Sequence, residues 1–316
     1  MKDFGGKIAV VTGGGTGMGR ALVRQLAALG CDVATCDIMD ETLKQTRRLC
    51  EAQAPQGVRI ATFNCDVANE DEVQAFQRYI NETFDTDHIN LLFNNAGIGG
   101  GGSFVESSRE EWERTFNICW NGVYYFARVF LPMLLASKEG HIINTSSVNG
   151  FRASLGGNIP HTAYSAAKFA VKGFTEALIN DFRFNAPHLK ASVVMPGYVG
   201  TEIAVNTGKI LGHSEDLTDT EIDAMRERWR KMGVEQKPQT NDEVRAMVKT
   251  QREGYRDGGL TPDQAATVIL DGVRNDEWRI LVGPDAVALD EAVRAAPLDA
   301  YDLEFSDKVW AGMSDD

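Results

Sequence analysis

The chain has 316 residues, 43% of them hydrophobic, and a formal net charge of −13, so it can bury one large core while its acidity disfavours nucleic acid or an anionic membrane as partner. Its five cysteines, Cys31, Cys36, Cys50, Cys65 and Cys119, contain no Cys-x-x-Cys spacing, which fits neither a disulfide framework nor a metal site and points to a reducing cytoplasm. No signal-like apolar stretch precedes the first strand pattern, no run of ~18 apolar residues occurs, and no linker or repeat divides residues 1–316. A single soluble domain is expected.

In chain order, Ile8-Ala9-Val10-Val11 is a short β-branched run suited to a strand buried on both faces. It breaks into Thr12-Gly13-Gly14-Gly15-Thr16-Gly17-Met18-Gly19, and an amphipathic helix is predicted from about residue 20 to 29. Strand, glycine turn and helix together form a phosphate cradle, because backbone without side chains can approach a pyrophosphate and the helix N-terminus offers free N–H groups. The spacing is Gly-x-x-x-Gly-x-Gly, and Arg20 stands where the last glycine of Gly-x-Gly-x-x-Gly would fall.

A second strand over residues 32–36 ends at Asp37, where a carboxylate could accept both hydroxyls of an adenosine ribose. With no Lys or Arg inside the glycine turn to offset Asp37, charge favours NAD over NADP as cofactor. A third strand, 58–65, reaches Asp66-Val67; a helix, 70–84, leads to a fourth strand, 89–93, which runs into Asn94-Asn95-Ala96-Gly97 and then four glycines, 99–102. This alternation predicts parallel strands with right-handed crossovers and ligands at the strands' C-terminal edge. The four glycines could line that edge or form a loose surface loop.

A long helix over about 110–137 is apolar around much of its circumference, which predicts that part of it meets another subunit. A fifth strand, 141–145, gives Ser146-Ser147, and a loop with Gly150, Gly156, Gly157 and Pro160 delivers the chain to Tyr164-Ser165-Ala166-Ala167-Lys168. At the start of a helix, Tyr164 and Lys168 share one face. A cation there would favour the phenolate and fit the tyrosine for proton transfer.

Taken together, Thr12-Gly13-x-x-x-Gly17-x-Gly19, Asn94-Asn95-Ala96-Gly97, Ser147, Tyr164-x-x-x-Lys168 and Pro196-Gly197-x-Val199-x-Thr201 resemble the short-chain dehydrogenase/reductase family over about residues 5–202. The resemblance implies a Rossmann-type α/β fold with a seven-stranded parallel, doubly wound sheet of order 3-2-1-4-5-6-7. It implies Tyr164 as general acid/base, Ser147 as hydrogen-bond partner of the substrate oxygen, and Lys168 as holder of the nicotinamide ribose that also lowers the tyrosine pKa. It further implies a cofactor site built from Gly13, Thr16, Gly17, Met18, Gly19, Asp37, Ile38, Asp66, Val67, Asn95, Val199 and Thr201, together with Tyr164 and Lys168. A homodimer or homotetramer is implied as well.

Two departures stand out. The family's usual asparagine, three residues before a glycine, is Cys119 here, counted back from Gly122. Asn117 and Asn121 would lie about 200° round an α-helix from it. The proton relay is therefore expected to be rewired or slower.

The second departure is a long insertion after Thr201. Thr218 with Glu221 and Thr240 with Glu243 read as capping boxes, with Ile222, Met225, Trp229 and Met232 on one face up to Gly233, and Val244, Met247, Val248, Gln251 and Tyr255 on the next helix. These helices, within residues 201–260, are expected to be a lid over a moderately large hydrophobic alcohol or ketone, although a Met/Trp stripe also suits ordinary core. A third helix starts at Thr261-Pro262 with Gln264, a last strand covers 279–282, and the tail from residue 284 could pack on a neighbour or fray. His161 is a candidate for substrate contact. The rivals to an NAD-dependent alcohol dehydrogenase or carbonyl reductase are a non-catalytic NAD(H)-binding sensor or scaffold and an isomerase or dehydratase of the same superfamily.

Overall fold

Short runs of β-branched residues with no polar face have only an interior to occupy. The computed structural model, which describes residues 1–154, 160–214, 217–231, 238–305, 307 and 309, places them in one sheet. Its strands are β1 (Ile8–Thr12), β2 (Asp32–Asp37), β3 (Ile60–Asn64), β4 (Leu91–Asn94), β5 (Gly140–Thr145), β6 (Leu189–Pro196) and β7 (Arg279–Val282). The order is β3-β2-β1-β4-β5-β6-β7 and every pairing is parallel, with Val10 of β1 opposite Ala34 of β2 and Leu92 of β4. β1, β4 and β5 are buried along their whole length.

The helices are α1 (Gly17–Ala28), α2 (Asp40–Glu51), α3 (Glu70–Phe84), α4 (Arg109–Phe116), α5 (Gly122–Ala136), α6 (Thr162–Asn185), α7 (Ile203–Ile210), α8 (Asp219–Lys231), α9 (Asn241–Asp257), α10 (Pro262–Arg274) and α11 (Pro284–Ala295). On one face of the sheet Phe76 and Ile80 of α3, Phe126 and Phe130 of α5 and Ala167 of α6 form a continuous core. On the other, Leu22 and Leu26 of α1 meet Ile269 and Val273 of α10. Each such fully buried large side chain stabilises by about 1.5–3 kcal/mol before conformational entropy is subtracted. Connections from β1 and β4 leave in opposite directions, so a crevice opens between them at the C-terminal edge.

The helix expected over 110–137 is interrupted. Asn117–Asn121 adopts a π-helical turn between α4 and α5, which seats one extra residue in the coil and lets the Asn121 amide donate to Asn117 Oδ1 at 2.8 Å. By length and composition the run Arg109–Ala136 could span a membrane, but Phe126, Phe130, Met133 and Leu134 lie in the core.

α1 begins at Gly17, inside the glycine motif. All three capping boxes form: Glu221 N–H donates to Thr218 Oγ1 at 3.3 Å, Glu243 N–H to Thr240 Oγ1 at 3.2 Å, and Gln264 N–H to Thr261 Oγ1 at 3.2 Å.

The described part of the tail packs on its own chain. Leu289, Ala300 and Phe305 cluster with Val148 and Phe151, Arg152 Nε donates to Ala300 O at 2.8 Å, and Ala153 N–H donates to Tyr301 Oη at 3.0 Å. Gly156, Gly157, Met232, Gly233 and the last residues of the tail lie outside the described residues.

Candidate active site

The glycine turn divides by function. Gly13 has φ +70°, and a Cβ there would lie 2.9 Å from Ala96 Cα. A Cβ on Gly19 would overlap the Gly13 carbonyl, so the turn and the first coil of α1 close on each other only through glycine. The Gly14 gap is filled from within the fold, by Thr35 Oγ1 of β2. Arg20 grips the turn from behind: its Nη2 donates to Gly15 O and its Nε to Thr46 Oγ1 at 3.0 Å.

The residues expected to hold the adenosine end converge. Asp37 Oδ2 accepts from Gly15 N–H at 2.9 Å and Oδ1 from Met39 N–H at 3.0 Å. Burial pushes its carboxyl above the usual range, and those two N–H groups oppose the shift. Asp66 is held by Arg114 of α4 at 2.7 Å. Gly13, Thr16, Gly17, Met18, Gly19, Asp37, Ile38, Asp66, Val67, Asn95 and Thr201 line one cavity.

Asn95 donates from Nδ2 to Thr12 O at 3.1 Å, whereas its Oδ1 is buried without a partner. An orphaned acceptor, a glycine cradle and an acidic edge fit a dinucleotide, which offers hydroxyl donors and a pyrophosphate.

A second cavity of about 550 Å³ continues from the first and shares Met18, Asn95, Gly97, Thr201 and Ile203 with it. Ser147, Tyr164, Lys168, His161 and Val199 line it. Ser147 follows β5 and opens a short 3-10 turn, Val148–Gly150, while Tyr164 and Lys168 stand one helical turn apart on α6. Lys168 Nζ donates to Thr145 O at 2.8 Å and lies 5.4 Å from the centre of the Tyr164 ring.

Burial dominates the electrostatics of the pair. Burial pushes the Tyr164 phenol up, Cys119 adds to the rise, and the hydrogen bond with Ser147 opposes it. Burial likewise lowers Lys168. Cys119 reaches the site: a Cβ on Gly97 would lie 3.5 Å from Lys168 Nζ and 3.7 Å from Cys119 Sγ, and the thiol donates to Ile98 O at 3.3 Å.

The glycines at 99–102 are packed against their neighbours. A Cβ on Gly100 would sit 2.6 Å from Thr115 Oγ1, and one on Gly101 would overlap Ala163 Cβ. Gly101 O and Gly102 O accept from Ala163 and Thr162 N–H at 3.1 and 3.0 Å, fixing the first turn of α6. The His161 ring packs edge-on to Tyr164 at 5.1 Å, and its pKa is lowered by burial, opposed by a hydrogen bond with Gly99.

Part of the segment 201–260 lines the larger cavity. α7 lies across the crevice, with Asn206 Nδ2 donating to Thr16 Oγ1 at 3.1 Å and Gly99 N–H donating to Thr207 Oγ1 at 2.8 Å. Ile203, Ala204 and Thr207 line the larger cavity; from α9 only Tyr255 does, and no described residue of α8 does. Met225 and Trp229 of α8 are not among the residues that line it. α8 and α9 are tied together by Arg245 Nη2 to Asp219 Oδ1 at 2.6 Å and by Asn241 Nδ2 donating to Asp219 Oδ1 at 2.8 Å, and Ile222 and Val244 are their buried apolar residues.

Arg114, Asn206, Thr207 and Arg152 were not legible as site residues. For α7 the signal was only eight residues long, with no buried stripe.

Residues 7–210 match the family model described as short chain dehydrogenase. The SadH protein of Mycobacterium tuberculosis, which carries an oxidoreductase name, is 32% identical over 294 residues, 93% of this chain and 92% of that protein. Acetoacetyl-CoA reductase of Allochromatium vinosum is 34% identical over 200 residues, 63% of this chain and 77% of the enzyme. A crystal structure of a short chain dehydrogenase/reductase from Burkholderia phymatum in complex with NAD superposes with a TM-score of 0.73 at 32% identity, covering 95% of each chain.

Proposed function

This chain belongs to the short-chain dehydrogenase/reductase family, and from that premise we propose an NAD-dependent oxidoreductase that interconverts a secondary alcohol and a ketone of moderate to large apolar size. The observation that carries the reading is that Ser147, Tyr164 and Lys168 meet on the wall of a cavity continuous with the glycine cradle. The bound nicotinamide would supply or take up the hydride.

In oxidation Tyr164 removes the alcohol proton, and in reduction it returns one to the oxygen. Ser147 donates its one hydroxyl proton to that oxygen. Lys168 holds the nicotinamide ribose and supplies positive charge as Tyr164 ionises. Gly13, Thr16, Gly17, Met18 and Gly19 would hold the pyrophosphate; Asp37 and Ile38 the ribose; Asp66 and Val67 the adenine; Asn95 the adenosine side; Val199 and Thr201 the carboxamide.

NAD is preferred over NADP because the buried Asp37 carboxylate would repel a 2′-phosphate, while Arg20 is occupied with Gly15, Thr46 and Gln45. The chain acts as one domain, with residues 201–260 as a lid whose working surface is α7 and Tyr255. Exposed Tyr124 and Leu135 on α5 and Phe169 on α6 suit a homodimer or homotetramer interface, and five unbridged cysteines suit a reducing cytoplasm.

The test is nicotinamide absorbance with NAD and, separately, NADP over a panel of small, aromatic and polycyclic secondary alcohols. Turnover with NAD that falls by about 10²–10⁴ in Tyr164→Phe is expected. Tight NADH binding with no turnover by the native enzyme across the panel would favour the sensor reading instead.

A further inference from the structure

Only one residue of α9 reaches the larger cavity, and the fold fixes it from several directions. The Tyr198 ring packs against that of Tyr255 with centroids 4.9 Å apart. Its hydroxyl lies 3.0 Å from Gly254 O and 2.9 Å from Tyr255 O, donating to carbonyls of the last turn of α9 that have no partner within the helix.

Tyr198 is itself held. Its N–H donates to Asp285 Oδ2 at 2.5 Å, and its carbonyl accepts from Leu260 N–H at 3.1 Å. The pair Gly258-Gly259 makes room for it: a Cβ on Gly258 would lie 2.5 Å from Tyr198 Oη, and one on Gly259, at φ +66°, would overlap the Tyr198 carbonyl.

The result is a rigid aromatic wall. Tyr198 and Tyr255 both line the cavity that holds Tyr164, and Tyr255 is 39% exposed. Much of the remaining lining near this wall is flat or aliphatic, including Val148, Pro196, Val199 and Leu289. A flat ring gains from offset or edge packing on a pre-positioned aromatic face in a way that a saturated ring or a flexible alkyl chain of equal size does not.

We propose that Tyr255 is a specificity-determining residue that selects ketones and alcohols carrying a planar unsaturated ring beside the reacting carbon, and that Tyr198 is the residue that positions it. The inference rests on the oxidoreductase reading for its substrate class, and its test separates the two.

Acetophenone, cyclohexyl methyl ketone and 2-octanone have the same carbon count and differ in ring character. Their dissociation constants are measured with NAD present, where no reduction can occur, and their kcat/KM with NADH is measured separately. The wild type binds acetophenone about three- to tenfold more tightly than cyclohexyl methyl ketone, the size of an aromatic pair's advantage. Tyr255→Phe keeps that ratio. Tyr255→Leu brings it close to one, through KM more than kcat. Tyr198→Phe, which loses only the hydroxyl that caps α9, lowers the ratio part of the way at an unchanged circular dichroism spectrum.

Equal binding of the three ketones by the wild type, or a ratio that survives Tyr255→Leu, overturns the proposal. If acetophenone is preferred in binding and no ketone is reduced, the oxidoreductase reading falls and the aromatic wall stands. If all three are reduced at a ratio Tyr255→Leu does not move, the wall falls and the enzyme stands.

Discussion

Gly14 and Gly17 sit three residues apart in one glycine turn, yet the structure assigns the missing side chains different jobs. A methyl at residue 14 would overlap Thr35 Oγ1 and approach Thr35 Cβ to 3.0 Å and Val23 Cγ2 to 3.1 Å. Thr35 and Val23 are fully buried, and the Thr35 hydroxyl donates to Val11 O at 2.8 Å. To admit Gly14→Ala, either Thr35 rotates and leaves a buried hydroxyl unsatisfied, at about 1–3 kcal/mol, or the turn shifts and overpacks, at a similar ~1–3 kcal/mol.

Lower chain entropy in the unfolded state returns about 0.4–1 kcal/mol. The expected net loss is thus about 0–2.6 kcal/mol, measured by urea unfolding, with a fall in Tm of up to about 4 °C. In a Thr35→Ala background the obstructing hydroxyl is gone, and Gly14→Ala should cost less than about 1 kcal/mol. Equal costs in the two backgrounds would refute the packing account. Gly17→Ala, at φ +52° with its Cβ 3.2 Å from Thr201 Cγ2, should instead show its main effect as weaker NADH binding.

Three further outcomes follow from the electrostatics and the relay. Burial holds the Asp37 carboxyl above its usual range, so NADH affinity should weaken on acidification at a higher pH than an ordinary aspartate would allow; a flat titration of Kd contradicts this. Cys119→Asn places an amide beside Lys168 and should raise turnover and move the pH–rate profile, at about 1–3 kcal/mol of stability for the added bulk; unchanged turnover and profile would show that the position carries no weight in the relay.

His141 is held at about 3 by burial and bonds Ser192 Oγ at 2.7 Å. The unfolded chain then binds the extra proton below about pH 6.5, so stability should fall as pH drops from there towards the folded pKa, with a slope approaching ~1.4 kcal/mol per pH unit. His141→Gln should flatten that limb, and a limb of unchanged slope would assign it to other groups.

Much of this protein was legible locally. Residues 70–84 form a helix at the boundaries read from the sequence, and Thr240 with Glu243 and Thr261 with Gln264 close their capping boxes, because caps and periodicity are decided within a few residues. The positions of Tyr164, Lys168, Asp37 and the glycine motif at one sheet edge also followed, since strands that alternate with helices all deliver their C-terminal ends to the same side.

Tertiary structure decided the rest. Whether Gly14 serves cofactor or core depends on Thr35 of the neighbouring strand, and whether residues 99–102 are loose or packed depends on Thr115 and Ala163. The short α7 reaches the site through Asn206 and Thr207, which bond Thr16 and Gly99 across more than one hundred residues of chain. Local propensity carries no information about such partners: a stripe states that a face is buried, and only the assembled sheet determines what it is buried against.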